Sequence, residues 1–403
     1  MLRAAFASIA LLCMSAAQAE DPQWLKEARA REGKIGSLRE FKSDDNWLKA
    51  KVPVKVKDVV KQEKAYVISF DVGGETPAYC EVIPEGFDMA DMLRQTVDIT
   101  MKEVEPIQGK VEAREIEYTD AGSFGEAPYL AARWLYRVND GKETRLGALK
   151  QVVFEKHGHG VYCSHIDIGY VKTFDAMTRA MAESFEAPPV AAPPYFREIS
   201  VASLAGSKIG IAVTTLEKDA DGDTKARQMT AMVLRSTAGD INTQDAIHIE
   251  WVHADGSMIN ALDVVAANGE VYTNVALKRD EAQWVVDGEM QGKKVTAKLP
   301  ADAQPRSWVE QSRDLRKVLE GEKVIGAVQT MPMWVSLDPG KLTDMKTTVL
   351  EKKGPNEFTA RANAGPLEFQ LLLDKATGLP STADIPMGPQ SVRIERVHMS
   401  GGF

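Results

Sequence analysis

Apolar and polar residues alternate along most of this chain, and at four places the alternation gives way to a helical period. Over residues 65–71 Tyr66, Ile68 and Phe70 share one face, Gly73-Gly74 supplies a turn, and residues 78–83 return as a hairpin partner. Further strands are predicted near 111–119, 128–138, 146–155 and 161–170, with a turn at Asn139-Asp140-Gly141. Helices are predicted from Asp21-Pro22 to about Arg31, from a cap at Asp88 to about Glu103, and over about 172–186. In the last of these Phe174, Met177, Ala180, Met181 and Phe185 fall at helical spacing. The order hairpin, helix, antiparallel meander, helix predicts an α+β sandwich over residues 20–187.

Residues 187–194 hold four prolines, which no helix or central strand tolerates, so 188–194 reads as an extended proline-rich linker. Beyond it, residues 195–403 are dominated by strands. Seven are predicted between 195 and 289, with turns at Asp221-Gly222, Asp255-Gly256 and Asn268-Gly269. One helix interrupts them at 307–319, where Ser307 and Glu310 have the spacing of a capping box. Strands resume near 324–337, 344–352, 355–363, 366–374 and 390–399, which predicts an antiparallel β half-barrel with one packed helix.

The closing strand of the first half and its Phe174 to Phe185 helix resemble the PsbP/DcrB-type α/β/α sandwich over about residues 50–187. That resemblance implies an extracytoplasmic accessory or binding module with no catalytic residues to transfer. In the second half, Trp284-x-x-x-Gly288, the helix, and Leu373-Asp374-x-x-x-Gly378-Leu379-Pro380 resemble the half-barrel of LolA/LolB-type periplasmic carriers. This second resemblance implies an acyl chain or similar apolar ligand held between sheet and helix.

The first nineteen residues combine Arg3, an apolar run from Ala4 to Met14 and the small-residue site Ala17-Gln18-Ala19, the pattern of a cleavable signal peptide. Export to the periplasm of a Gram-negative bacterium is the expected localisation, and no stretch is long and apolar enough for stable membrane insertion. Cleavage would remove Cys13 and leave Cys80 and Cys163, an even pair that reads as one disulfide in an oxidising compartment. The net charge of −9, with no basic tract, argues against a nucleic-acid partner, whose phosphates require clustered Lys and Arg.

Candidate chemistry is sparse. His157, His159 and His165 crowd one segment, and imidazoles with a nearby carboxylate could hold zinc or copper, although two intervening glycines favour a turn. Met331-Pro332-Met333-Trp334 offers thioethers that suit copper(I), or equally an apolar pocket. Ser123 imitates a nucleophile elbow, but a strand and not a helix follows it. The Asp219 to Asp223 cluster lacks the spacing of a calcium loop and reads as a hairpin tip.

Trp251, Trp284, Trp308, Met331, Met333 and Trp334 are the expected ligand-binding residues if their side chains turn inward. The leading expectation is thus a non-enzymatic binding or chaperone-like protein without a cofactor, its partner an apolar small molecule or an envelope protein. A structural or protein-interaction module of the envelope and a metal-binding protein using the histidines are the alternatives.

Overall fold

A computed structural model describes residues 22–63, 65–83, 88–190, 192–236, 240–365, 367–387 and 390–403; the expected signal peptide lies outside the described residues. The first half opens with α1 (Gln23–Arg29) and a small ribbon of β1 (Arg39–Lys42) and β2 (Lys49–Val52). It continues through β3 (Lys55–Gln62), β4 (Ala65–Asp71), β5 (Ala78–Ile83), α2 (Met89–Gln108), β6 (Lys110–Phe124), β7 (Ala127–Asn139), β8 (Thr144–Lys156), β9 (His159–His165) and α3 (Val171–Ser184). The strands form an antiparallel sheet in the order β3-β4-β5-β9-β8-β7-β6.

This sheet is covered on both faces, so β9 and residues 149–154 of β8 are buried in near-continuous runs rather than alternating. On one face α3 buries Phe174, Met177 and Met181 against Ile68, Phe70 and Phe154. On that face Cys80 and Cys163 stand directly opposite on β5 and β9, their Cα atoms 4.0 Å apart, and form the expected disulfide. The bond belongs to an oxidising compartment. On the other face α2 buries Leu93, Val97 and Met101 against Trp134, Leu149 and Val153.

The second half runs through β10 (Phe196–Leu204), β11 (Ser207–Lys218), β12 (Thr224–Arg235), β13 (Ile241–Val252), β14 (Met258–Ala267), β15 (Glu270–Asp280), β16 (Gln283–Met290) and β17 (Lys293–Lys298). After α4 (Trp308–Glu320) it returns through β18 (Val328–Trp334), β19 (Leu342–Lys352), β20 (Glu357–Ala364), β21 (Leu367–Asp374), β22 (Pro380–Met387) and β23 (Gln390–Gly401). All fourteen make one antiparallel sheet in which β10 pairs with β23 at the centre, and β17 and β18 are the two edges. The sheet curls until Trp334 and Leu342 beside one edge pack with Trp284, Val286 and Ala297 beside the other, but no ladder joins the edges among the described residues. Asn268 and Gly269, both with positive φ, form a two-residue loop between β14 and β15 whose backbone twist matches the flanking strands.

Helix α4 begins at the expected cap: the Ser307 hydroxyl accepts the N–H of Glu310 at 3.0 Å. Its first turn packs with Phe196, Leu216 and Val252, and its last with Val349, Phe358 and Leu373. The chain is mainly β with large antiparallel sheets, and the second is an open curl.

Two expectations change. Asp88 makes no side-chain bond to the start of α2; Asp245 of β13 instead accepts the N–H groups of Ala90 and Asp91, both at 3.1 Å. The proline-rich segment is also more than a spacer. Pro188 offers its carbonyl to His159 at 2.7 Å, Val190 donates its N–H to His157 at 3.0 Å, and the two halves share one core through α2, Ile199, Val201, Ile211 and Val213.

Candidate functional site

Strand alternation decides what the curled sheet holds inside. On β10 the inward positions are Phe196, Glu198, Ser200 and Ala202, while Ile199 and Val201 face α2. Pairing carries that parity to Thr214 on β11, Gln228 and Thr230 on β12, His248 and Glu250 on β13, and Asp263 on β14. A cavity of about 150 Å³ lies within this curl. Glu198, Ser200, Thr214 and Asp263 form part of its wall, with Ala383 and Ile394 from β22 and β23 and the turn Val335, Ser336, Leu337 that follows β18.

The polar residues of this interior are organised around two cations. His248, fully enclosed, donates from Nδ1 to Asp263 at 2.7 Å and from Nε2 to Glu250 at 3.0 Å. Burial alone would lower its pKa, but Asp263 and Glu250 raise it to about 9, so the ring is an imidazolium at neutral pH. Burial would likewise raise the Asp263 carboxyl, yet His248 and the Ser336 hydroxyl bring it below the ordinary range. The second oxygen of Glu250 accepts the Trp308 N–H at 3.0 Å, which ties the start of α4 to the same network.

Arg396 of β23 is the other cation. It bridges two carboxylates, pairing with Asp374 at 2.7 Å and with Glu198 at 2.7 Å. Burial raises the Glu198 carboxyl to about 6 against the pull of Arg396.

The six expected ligand residues go elsewhere. Trp251 is half-buried on the opposite face of β13 from His248 and Glu250. Trp284 and Trp334 share one apolar cluster, and Trp308 and Met333 share another; Met331 is fully buried opposite Met345. None of the six lines the cavity. Only Trp334 comes near in sequence, since the lining turn begins at the next residue. The residues that do line it were signalled by a charge sitting at the parity of apolar neighbours: Glu198 between Phe196 and Ala202, Asp263 between Ala261 and Val265.

The histidines of the first half are not brought together either. His157 sits at a turn with positive φ, His159 is buried against Trp47 and Phe185 with its Nε2 on Pro188, and His165 lies beside Asp167 at the far end of β9. Among the described residues no three potential ligands converge on a metal-sized site. Asp219 accepts the N–H groups of Asp221 and Asp223, the hairpin tip expected of it. Among the described residues no helix is long and apolar enough to cross a membrane.

No family model matches the chain, and no curated protein matches it. The solved structures similar to it include the following two. One is a beta-barrel-like protein of the domain of unknown function DUF1849 from Brucella abortus, 12% identical, covering 51% of this chain and 97% of its own, with a TM-score of 0.39. The other is a DUF1089 family protein from Pseudomonas aeruginosa, 15% identical, covering 50% of this chain and 94% of its own, with a TM-score of 0.26.

Proposed function

We propose that this is a non-enzymatic periplasmic binding protein whose curled second sheet holds a small apolar ligand carrying a hydrogen-bond donor. The cavity between the β10–β14 wall and β22–β23 carries this reading. At about 150 Å³ it matches the size of an engineered apolar cavity that takes up benzene, so a small aromatic molecule of one or two fused rings or a short chain segment fits and a long acyl tail does not. Its wall carries the carboxyl groups of Glu198 and Asp263, which favours a ligand that gives a hydrogen bond over one that ends in a carboxylate.

The polar network favours binding over catalysis. Both ring nitrogens of His248 are held by carboxylates, so the imidazole is not free to act as a base toward the Ser336 hydroxyl.

Indole and 1-methylindole are the probes, titrated calorimetrically into the full chain. Indole is expected to bind at one site, 1-methylindole more weakly because it lacks the N–H, and Ala383→Phe to weaken indole at least about tenfold by filling the cavity. Failure of indole to bind, or equal binding to Ala383→Phe, would overturn the proposal in favour of a purely structural envelope module.

A further inference from the structure

A second and larger cavity, of about 360 Å³, lies in the first half of the chain. Strand alternation puts Arg133 and Leu135 of β7 and Ala148 and Lys150 of β8 on the α3 side of the seven-stranded sheet, where they wall this space with Ile168 and Val171. The same side of β8 continues into Val152 and Phe154, which are closed over by the α3 core. Lys150 thus stands where the packed part of the face ends and the hollow begins.

The Lys150 side chain is buried, with 3% of the residue exposed. Its ammonium makes one hydrogen bond, to the backbone carbonyl of Asp167, and no carboxylate lies within 4.0 Å among the described residues. An ammonium has three donors, so this charge is buried with most of its hydrogen-bonding capacity unused, a costly arrangement in the absence of a further acceptor. Burial draws its pKa down to about 8, which is the same shortage expressed as a titration.

Arg133 adds a second cation, bonded to Asp175 at 3.0 Å and lying over the Tyr118 ring at 4.9 Å. A third, Arg29, is paired with Glu117. The hollow therefore has an apolar body and, at one end, a buried ammonium with no carboxylate at ion-pair distance among the described residues; Asp167, Asp175 and Glu32 act on it only from farther away.

We infer that this cavity is a binding site for a monoanionic carboxylate with an apolar body, the carboxylate meeting Lys150 and Arg133 and the body lying on Leu135, Ala148, Ile168 and Val171. A dianion such as phosphate fits less well, because Asp175 already occupies one side of Arg133 and Glu117 stands on the wall. The volume is more than twice that of the cavity in the second sheet, which gives room for a chain of medium length. The two sites would select opposite head groups: a donor in the second half, an anion in the first.

The test is calorimetric titration of the full chain with sodium octanoate, 1-octanol and inorganic phosphate, with and without saturating indole. Octanoate is expected to bind at one site, at least about tenfold more tightly than octanol, with phosphate failing to compete and indole leaving the affinity unchanged. Lys150→Met, which keeps the apolar stem and removes the charge, should erase the preference for octanoate over octanol. Ala148→Phe, which fills the hollow, should abolish binding of both, and it carries the test if Lys150→Met proves unfolded by circular dichroism. Equal affinity for octanoate and octanol, displacement by indole, or octanoate binding unaltered in Lys150→Met or in Ala148→Phe would overturn the inference.

Discussion

The two sheets solve the problem of a polar interior in opposite ways. The seven-stranded sheet is covered by helices on both faces and fastened covalently by Cys80 and Cys163, and among the described residues its one deeply buried amine, Lys150, has no carboxylate at ion-pair distance. Among the described residues the fourteen-stranded sheet has no disulfide, and apart from Asp245, which caps α2, it gathers its buried acids around His248 and Arg396 instead. Where buried charges neutralise one another they act as structure, and where one is left short of partners the fold has room for something else to supply them.

Breaking the ionic centre should have the largest effect. His248→Leu would strand Asp263 and Glu250 in the interior, and by analogy with other broken buried pairs it should cost about 3–5 kcal/mol, read from urea denaturation monitored by tryptophan fluorescence. If His248→Leu is nearly neutral, the second sheet does not depend on that network and the contrast between the halves fails.

The covalent fastening should matter somewhat less. Reducing Cys80–Cys163, which spans 83 residues of sequence, should lower stability by about 2–4 kcal/mol. The loss should appear as a lower urea midpoint in the presence of dithiothreitol, without a comparable change in the double variant Cys80→Ala, Cys163→Ala.

The effect that is smallest for each step of the measurement sharpens the comparison at the junction, where Asp245 of the second sheet caps α2 of the first half. Burial raises its pKa from an ordinary 3.8 to about 7, against the opposing bonds from Ala90 and Asp91. Between those values the folded protein holds a proton that the unfolded chain has released, so stability should fall as pH rises from about 4 to 7, by at most about 1.4 kcal/mol per unit from this one group. Asp245→Asn should flatten that slope in urea midpoints measured across the range. An unchanged slope would mean that Asp245 does not couple the halves through its protonation.

Features set by neighbouring residues were the legible ones. The Asn268-Gly269 turn, the Ser307 cap and the apolar stripe of α3 depend on a few consecutive positions, and each lies where the sequence places it. With Cys13 expected to be lost in the predicted signal peptide, Cys80 and Cys163 could pair only with each other, so the disulfide was legible as well. Strand β22 escaped because Pro380 and Pro386 argue against a strand inside a sheet, yet they fall at or near its ends, where the lost N–H groups cost least. The cap on α2 escaped because its donors and acceptor are over 150 residues apart.

For the site, tryptophan and methionine were expected to mark a pocket by composition, but large side chains are also what a curled sheet uses to fill itself. The parity of charged residues along β10, β13 and β14 was the better signal. It needs the register of strands far apart in sequence before it can be read as one wall.

The position of β23 has a consequence for how the second half is made. Since this strand joins β10 in the middle of the sheet, the last of the fourteen to be synthesised is a keystone, and β10 must wait with one flank bare until it arrives. Deleting it would not trim a border but would leave two separate ribbons, β10–β17 and β18–β22, each with a new raw margin open to other chains.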